Sequence, residues 1–267
     1  MREPLEPALL LAITLRYLAN GNSYKTLEYE FRVANNTISR IVPETRNAIN
    51  NEFAEEFLKC PSTPDEWRAV AEGFSNKWNF YNCLGALDGK HVVIRAPSAS
   101  GSVYYNYKGF HSIGLMALVD SQYRFLYVEV GANGGASDGG VFAGTPLWAA
   151  LENNTLGVPP PTPFPRDDQP MPYSIVADDA FAMRTYLMKP YPQRGMSREQ
   201  RLYNYGLSRA RRVVENAFGI LAYRFRFLLA PMAQRTENVE TIVLAACVIH
   251  NIPRTRFPRI IDGIHEN

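Results

Sequence analysis

The sequence is poor in cysteine, in net charge and in long apolar runs, and each shortage removes a class of protein. Three cysteines, Cys60, Cys83 and Cys247, lie far apart and form no CxxC pair. An odd, scattered set of this kind argues against a disulfide framework or a zinc cluster and reads as buried thiols in a reducing compartment. A net charge of +2 over 267 residues is too small to argue for nucleic acid by itself. The longest apolar stretch near the start, Pro7 to Ile13, is too short to span a bilayer and lacks a cleavage-like flank, so neither a membrane anchor nor a signal peptide is expected. No internal repeat is visible. What is present is an ordinary globular composition, 46% hydrophobic and 20% charged, enough for a sizeable core. The length allows one large domain, or a small one beside a medium one.

The first 60 residues have helical periodicity. Leu9, Leu10, Ile13, Tyr17 and Leu18 make one apolar face, and Asn20-Gly21-Asn22 ends that helix. Ser23 can cap a short helix that buries Leu27 and Phe31. Asn35 or Asn36 can cap a third, with Ile38, Ile41, Val42, Thr45 and Ile49 on its buried face. Three short helices with tight turns resemble a helix-turn-helix, with Asn36, Thr37, Ser39 and Arg40 opening the reading helix. Charge argues otherwise: residues 1–60 hold seven Lys/Arg and eight Asp/Glu, a net of −1. That is poor for gripping phosphates, so a plain helical packing module stands as the alternative.

From Phe80 the period changes. Asn82 to Ala96 reads as a strand, and Ser112–Val119 and Tyr123–Val130 as two more, joined in a hairpin by Asp120-Ser121-Gln122. Ser137-Asp138 opens a helix with Phe142, Leu147, Trp148 and Leu151 on its apolar side. Residues 157–172 are dense in proline and form an exposed connection. A short strand, Tyr173 to Ala177, precedes helices at about Leu207–Tyr223 and Val239–His250. This order predicts an α/β protein, a mixed sheet covered by helices. The expected division is a helical leader over 1–75 and a catalytic-type domain over 76–267.

Four acids stand out. Asp88 lies between Leu84-Gly85-Ala86-Leu87 and Val92-Val93-Ile94, inside a central strand. A buried carboxylate there needs a metal ion or a basic partner. Gly89 beside it permits close approach of a substrate. Asp178 ends the strand Ser174-Ile175-Val176-Ala177, where α/β sites collect; the bland reading is a cap for the segment starting at Ala180. Asp179 must point to the other face. Glu215 lies mid-helix, on the face of Ser208, Arg211, Arg212 and Gly219, with Val214, Phe218 and Leu221 on the core side. An ion pair with Arg211 four residues earlier would be the plain reading. The surroundings are unusual, however: Lys189 to Arg226 holds nine Lys/Arg against two Asp/Glu, a local net of +7, with Tyr203, Tyr205, Tyr223 and Phe225 interleaved. Such a run suits a phosphate backbone. Asp138, in Gly134-Gly135-Ala136-Ser137-Asp138-Gly139-Gly140, lacks the Lys-Ser/Thr of a Walker loop, and helix capping is its alternative role.

Five segments in register, LGALDGKHVVI, SIGLMALVDSQYRFLYVEVGANGGASDGGVF, SIVADDAFAMRTYLMKPY, RARRVVENAFGILAYRFRFL and AACVIHN, resemble the PIF/Harbinger transposase-derived nuclease family over residues 80–251. LRYLANGNSYKTLEYEF and NNTISRIV resemble the helical leader of that family. The resemblance implies an RNase H-like fold and a DDE triad of Asp88, Asp178 and Glu215, with Asp138 as a further metal ligand or its support. It implies metal-dependent cleavage of DNA phosphodiester bonds, by two Mg²⁺ or Mn²⁺ ions roughly 3.5–4 Å apart that serve the attacking and leaving oxygens. Asp88 would bridge the ions, Asp178 and Glu215 would each complete one coordination sphere, and Arg209, Arg211 and Arg212 would position the DNA. Nuclear residence and a separate Myb-like DNA-binding partner protein are also implied; a cytoplasmic pool and a homo-oligomer are left open. Ala177 and Phe181 stand where the family usually has Gly and Tyr. A domesticated, inactive protein that binds DNA or a partner is the alternative.

Overall fold

The computed structural model describes residues 5–258. The ends of the two expected segments, 1–4 and 259–267, lie outside the described residues. The chain starts with helix α1 (Pro7–Asn20), which stops at Gly21, a residue in the left-handed region with φ +67°. Helix α2 (Tyr24–Phe31) starts at Ser23, whose hydroxyl accepts the N–H of Thr26, as the sequence predicts. The third helix departs from expectation. Helix α3 (Asn35–Phe57) runs 23 residues rather than one short turn-flanked segment, and Ala34, not an asparagine, holds its N-cap. Its length is explained by a second partner: the first half packs on α1 and α2 through Ile38, Ile41 and Val42, and the second reaches a carboxy-terminal helix through Ile49. Asn36, Thr37, Ser39 and Arg40 are all exposed.

Helix α4 (Pro64–Trp78) is set by a capping box in which Thr63 and Glu66 satisfy each other's backbone N–H. It crosses the position at which the leader was expected to end, and Trp67, Val70 and Phe74 sink into the same core as the sheet. Next come β1 (Cys83–Val93), β2 (Ser112–Val119) and β3 (Phe125–Asn133), consecutive antiparallel neighbours. The β2–β3 turn is held by buried Asp120, whose Oδ1 accepts the N–H groups of Gln122 (2.8 Å) and Arg124 (2.9 Å) and whose Oδ2 meets Arg124 Nε at 2.6 Å.

The single helix expected after Ser137 is two: α5 (Asp138–Ala143) and α6 (Pro146–Glu152). Gly144 ends the first, and Thr145 caps the second with Pro146 at its first turn. The proline-dense connection contains a small hairpin, β4 (Thr162–Pro163) with β5 (Pro170–Met171). Strand β6 (Ser174–Val176) then pairs in parallel with β1, and β7 (Leu187–Met188) in parallel with β6. The sheet order is β3-β2-β1-β6-β7, so β1 is central. Helix α7 (Arg198–Arg224) begins nine residues before its expected start because Ser197 and Gln200 form a second capping box. A 3₁₀ turn (Arg226–Leu229) and helix α8 (Thr236–Arg256) follow. The result is a five-stranded mixed sheet flanked by helices, and α8 is buried on most of its length, as its apolar sequence predicts.

Buried polar groups tie the layers together. Asn251 Nδ2 donates to the carbonyls of Phe57 (2.6 Å) and Phe125 (2.8 Å) while its Oδ1 accepts the N–H of Phe125 (3.0 Å). Arg46 of α3, 4% exposed, reaches Asn238 Oδ1 at 2.7 Å. Among the described residues no helix is long and apolar enough to cross a membrane.

Candidate functional site

Strand β1 is paired with β6 only as far as Ala86. Beyond it β6 ends, so among the described residues the β1 edge from Asp88 to Val92 has no strand partner on that side until Met232 bonds the Val93 carbonyl and the Arg95 N–H, while β2 continues on the other. An opening at a strand's carboxyl end, beside a neighbour that stops short, is where a sheet can receive a ligand. Alternation along β1 sends Asp88 and Lys90 to one face and Gly89 and His91 to the other. The first face meets α7, since Lys90 Nζ lies 6.0 Å from the Phe218 ring centroid. The second meets α5, where the Asp138 carboxylate fills the space a Cβ on Gly89 would need.

Asp178 sits just past β6. Its Oδ1 accepts the N–H of Ala180 at 2.9 Å, closing a turn rather than capping a helix. Asp178 is half-buried and Asp179 exposed, so the first of the two acids faces the opening. Phe181, buried, packs its ring 5.8 Å from that of Phe142, and Gly139 lies against the Ala180 carbonyl. These contacts dock the start of α5 on the 178–181 turn and carry Asp138 towards Asp178. Ser137, not Asp138, caps α5 by accepting the N–H of Gly140.

The electrostatics follow from this crowding. Burial pushes the Asp88 carboxyl up to about 6; the N–H of Gly89, at 2.8 Å, opposes the shift, Asp178 adds to it, Arg211 opposes it, and Asp138 adds again. Burial also raises Asp138, helped by the charge of Asp178 and resisted by His91 and Lys108. Asp88, Asp138 and Asp178 thus share one electrostatic neighbourhood at the open edge of β1.

Glu215 is differently placed. It projects from the exposed side of α7 and forms an ion pair with Arg211, Nη2 to Oε1 3.0 Å, with the glutamate side chain 47% exposed and the arginine 26%. Arg211 is therefore turned inward, between an electrostatic influence on Asp88 and a contact with Glu215, rather than free on the surface. Arg209 lies over the Tyr205 ring at 5.8 Å, and Arg212 is exposed.

The donor chemistry fits a hard divalent cation, since all four acids offer carboxylate oxygen and the desolvated Asp88 is short of compensating charge. The side-chain geometry is incomplete: among the described residues no three His, Cys, Asp or Glu side chains converge into an ion-holding group.

One group of residues next to the acids was not anticipated. His91 on β1 contacts Ser112 and lies beside Tyr107 (5.7 Å between ring centroids) and Phe110 (6.0 Å), with Lys108 close enough to act on it. Tyr107 is 85% exposed. The signal was available: VYYNYKGFH, residues 103–111, interleaves aromatic and basic residues immediately before β2.

A family model described as DDE superfamily endonuclease matches residues 87–251, more than half of the chain. The HARBI1 proteins of Mus musculus and Homo sapiens, whose names carry the word nuclease, are each 26% identical over 251 residues, 93% of this chain and 67% of theirs. Protein ALP1-like of Arabidopsis thaliana is 28% identical over 245 residues, 91% of this chain and 59% of its own. No solved structure matches. With Asp88, Asp138, Asp178 and Glu215 all inside the matched span, the chain belongs to the DDE superfamily endonucleases, among Harbinger transposase-derived proteins.

Proposed function

We propose that this protein is a divalent-metal-dependent DNA endonuclease of transposase type on an RNase H-like fold, with Asp88, Asp178 and Glu215 as its triad and Asp138 as a fourth ligand or its support. The observation that carries this reading is the burial of Asp88 on the central strand among like charges, which holds its carboxyl near 6. Such a cluster is costly without a cation and offers the oxygen donors that Mg²⁺ and Mn²⁺ prefer. The sheet order, with one acid on the central strand and the next at the end of β6, supports the RNase H-like assignment. Bound divalent ions would supply an activated attacking oxygen and stabilisation of the leaving oxygen. The chain's own residues would hold them: Asp88 from β1, Asp178 from the turn after β6, Asp138 from α5, and Glu215 once released by Arg211. Arg209 and Arg212 would steer the DNA backbone along α7, which lies within the segment Lys189 to Arg226 of local net charge +7. The net −1 of residues 1–60 supports reliance on a separate Myb-like DNA-binding partner, and a DNA substrate supports residence in the nucleus.

A second reading is a host-recruited protein that binds DNA or a partner and does not cut. It draws support from the Arg211–Glu215 pair and from the incomplete convergence of the acids. Calorimetric titration with Mn²⁺ separates the two. The nuclease reading expects saturable binding that Asp88→Asn removes; the second expects the same weak heat from both proteins.

A further inference from the structure

His91 is bound into a chain of buried hydrogen bonds whose direction can be worked out. Asn106, 2% exposed, accepts the N–H groups of Lys108 (2.9 Å) and Phe110 (3.3 Å) at Oδ1. Two backbone donors on that atom fix the amide orientation, so Nδ2 is the group facing Ser112 Oγ at 2.8 Å. Ser112 is fully buried. Its oxygen accepts from Asn106, and its own proton needs an acceptor; His91 Nδ1, at 2.9 Å, is the other partner of that oxygen. Were Nδ1 protonated, the hydroxyl proton would be stranded in the core. Ser112 therefore donates to Nδ1, and the ring carries its proton on Nε2. That atom has no protein partner among the described residues and is absent from their buried, unpaired polar atoms, so it opens to solvent.

The His91 ring lies within electrostatic reach of Asp138 and beside exposed Tyr107, with exposed Lys108 also acting on it. We propose that His91 presents its Nε2–H, locked in that tautomer by Ser112 and Asn106, to a phosphate oxygen of the DNA strand at the site of the acids. This rests on the DNA-cutting reading for its ligand, though not for the tautomer. A donor fixed in direction suits phosphate, because it needs no reorganisation as the backbone arrives. Ser112 and Asn106 are positioning residues that act through the ring. Lys108 supplies the positive charge that brings the strand in, and Tyr107 offers a face on which a base can stack.

The test has two arms. Histidine ¹⁵N spectra of the metal-free, DNA-free protein, which has four histidines, are assigned by comparison with His91→Gln. The expected result is an unprotonated Nδ1 and a protonated Nε2, with Ser112→Ala giving a tautomer mixture; a protonated Nδ1 in the parent would overturn the proposal. The second arm measures affinity for a short fluorescein-labelled duplex in EDTA. Glutamine places an amide N–H where Nε2–H lies, whereas asparagine reaches only to the Nδ1 position. His91→Gln should bind like the parent, while His91→Asn and His91→Ala should each lose about tenfold. Equal binding by all four, or equal loss in all three variants, overturns the phosphate contact. A parent that binds no DNA overturns it together with the DNA-cutting reading, which a parent that binds while His91 is silent would leave standing.

Discussion

The guanidinium of Arg211 lies 3.0 Å from the carboxylate of Glu215, one helical turn along α7, and bears electrostatically on Asp88 of β1. A cation thus already serves two acids of the proposed triad. In the metal-free protein it supplies a small part of the positive charge that divalent ions would bring, and it must leave Glu215 for that residue to become a ligand.

Replacing this arginine should therefore help metal binding. Arg211→Gln is expected to tighten Mn²⁺ binding, measured by calorimetry, by up to about fivefold, the worth of a partly exposed ion pair. The same variant should bind DNA less well, since one positive charge is gone from α7. Weaker Mn²⁺ binding would mean that Arg211 orients Glu215 rather than withholding it.

The Asp88 carboxyl gives a pH signature. Its value in the fold is about 6 against an ordinary 3.8, so folding disfavours the ionised form. The penalty is absent below about pH 3.8, grows as pH rises towards 6, and is complete above it. Metal-free parent should lose stability across that window, while Asp88→Asn, which stays neutral, should not. A gap of this size corresponds to about 3 kcal/mol at most. Thermal melts in EDTA should show nearly equal Tm values at about pH 4 and a variant more stable by several degrees at about pH 7.5. Equal Tm values at both would show that Asp88 is not under strain.

Gly89 tests Asp138. A methyl at this position would occupy the space of the Asp138 carboxylate. Gly89→Ala should fold, at a cost of about 1–3 kcal/mol for overpacking, and should weaken Mn²⁺ binding by displacing that acid. Unchanged Mn²⁺ affinity in a folded variant would remove Asp138 from the ligand set.

Asn251 tests the frame instead of the site. Its amide satisfies two carbonyls and one N–H that have left water. Asn251→Ala should lower unfolding free energy, measured by urea titration, by about 3 kcal/mol or more, because each orphaned buried group costs about 1–3 kcal/mol. A loss below about 1 kcal/mol would mean that water replaces the side chain.

Strands were legible where side chains alternate or run apolar: β1, β2, β3 and β6 fall close to their expected spans. Helix ends governed by local capping were less so. The start of α7 carries Arg198, Gln200 and Arg201, with no apolar stripe to read, although Ser197 and Gln200 spell a capping box. The break between α5 and α6 was written as Gly144-Thr145-Pro146, but a continuous apolar face from Phe142 to Leu151 masked it. At the site, burial of Asp88 followed from its strand, and the Arg211–Glu215 pair from its helical spacing. His91 was not seen, because its meaning depends on Asn106 and Ser112, which only the β1–β2 register brings to it.

The central claim is tested most directly by incubating supercoiled plasmid with the purified protein and Mn²⁺ or Mg²⁺, beside Asp88→Asn. Metal-dependent conversion to nicked circles by the parent, abolished by EDTA and by the substitution, is the expected outcome. Equal nicking by parent and variant, or none by the parent under any divalent ion it binds, would contradict it.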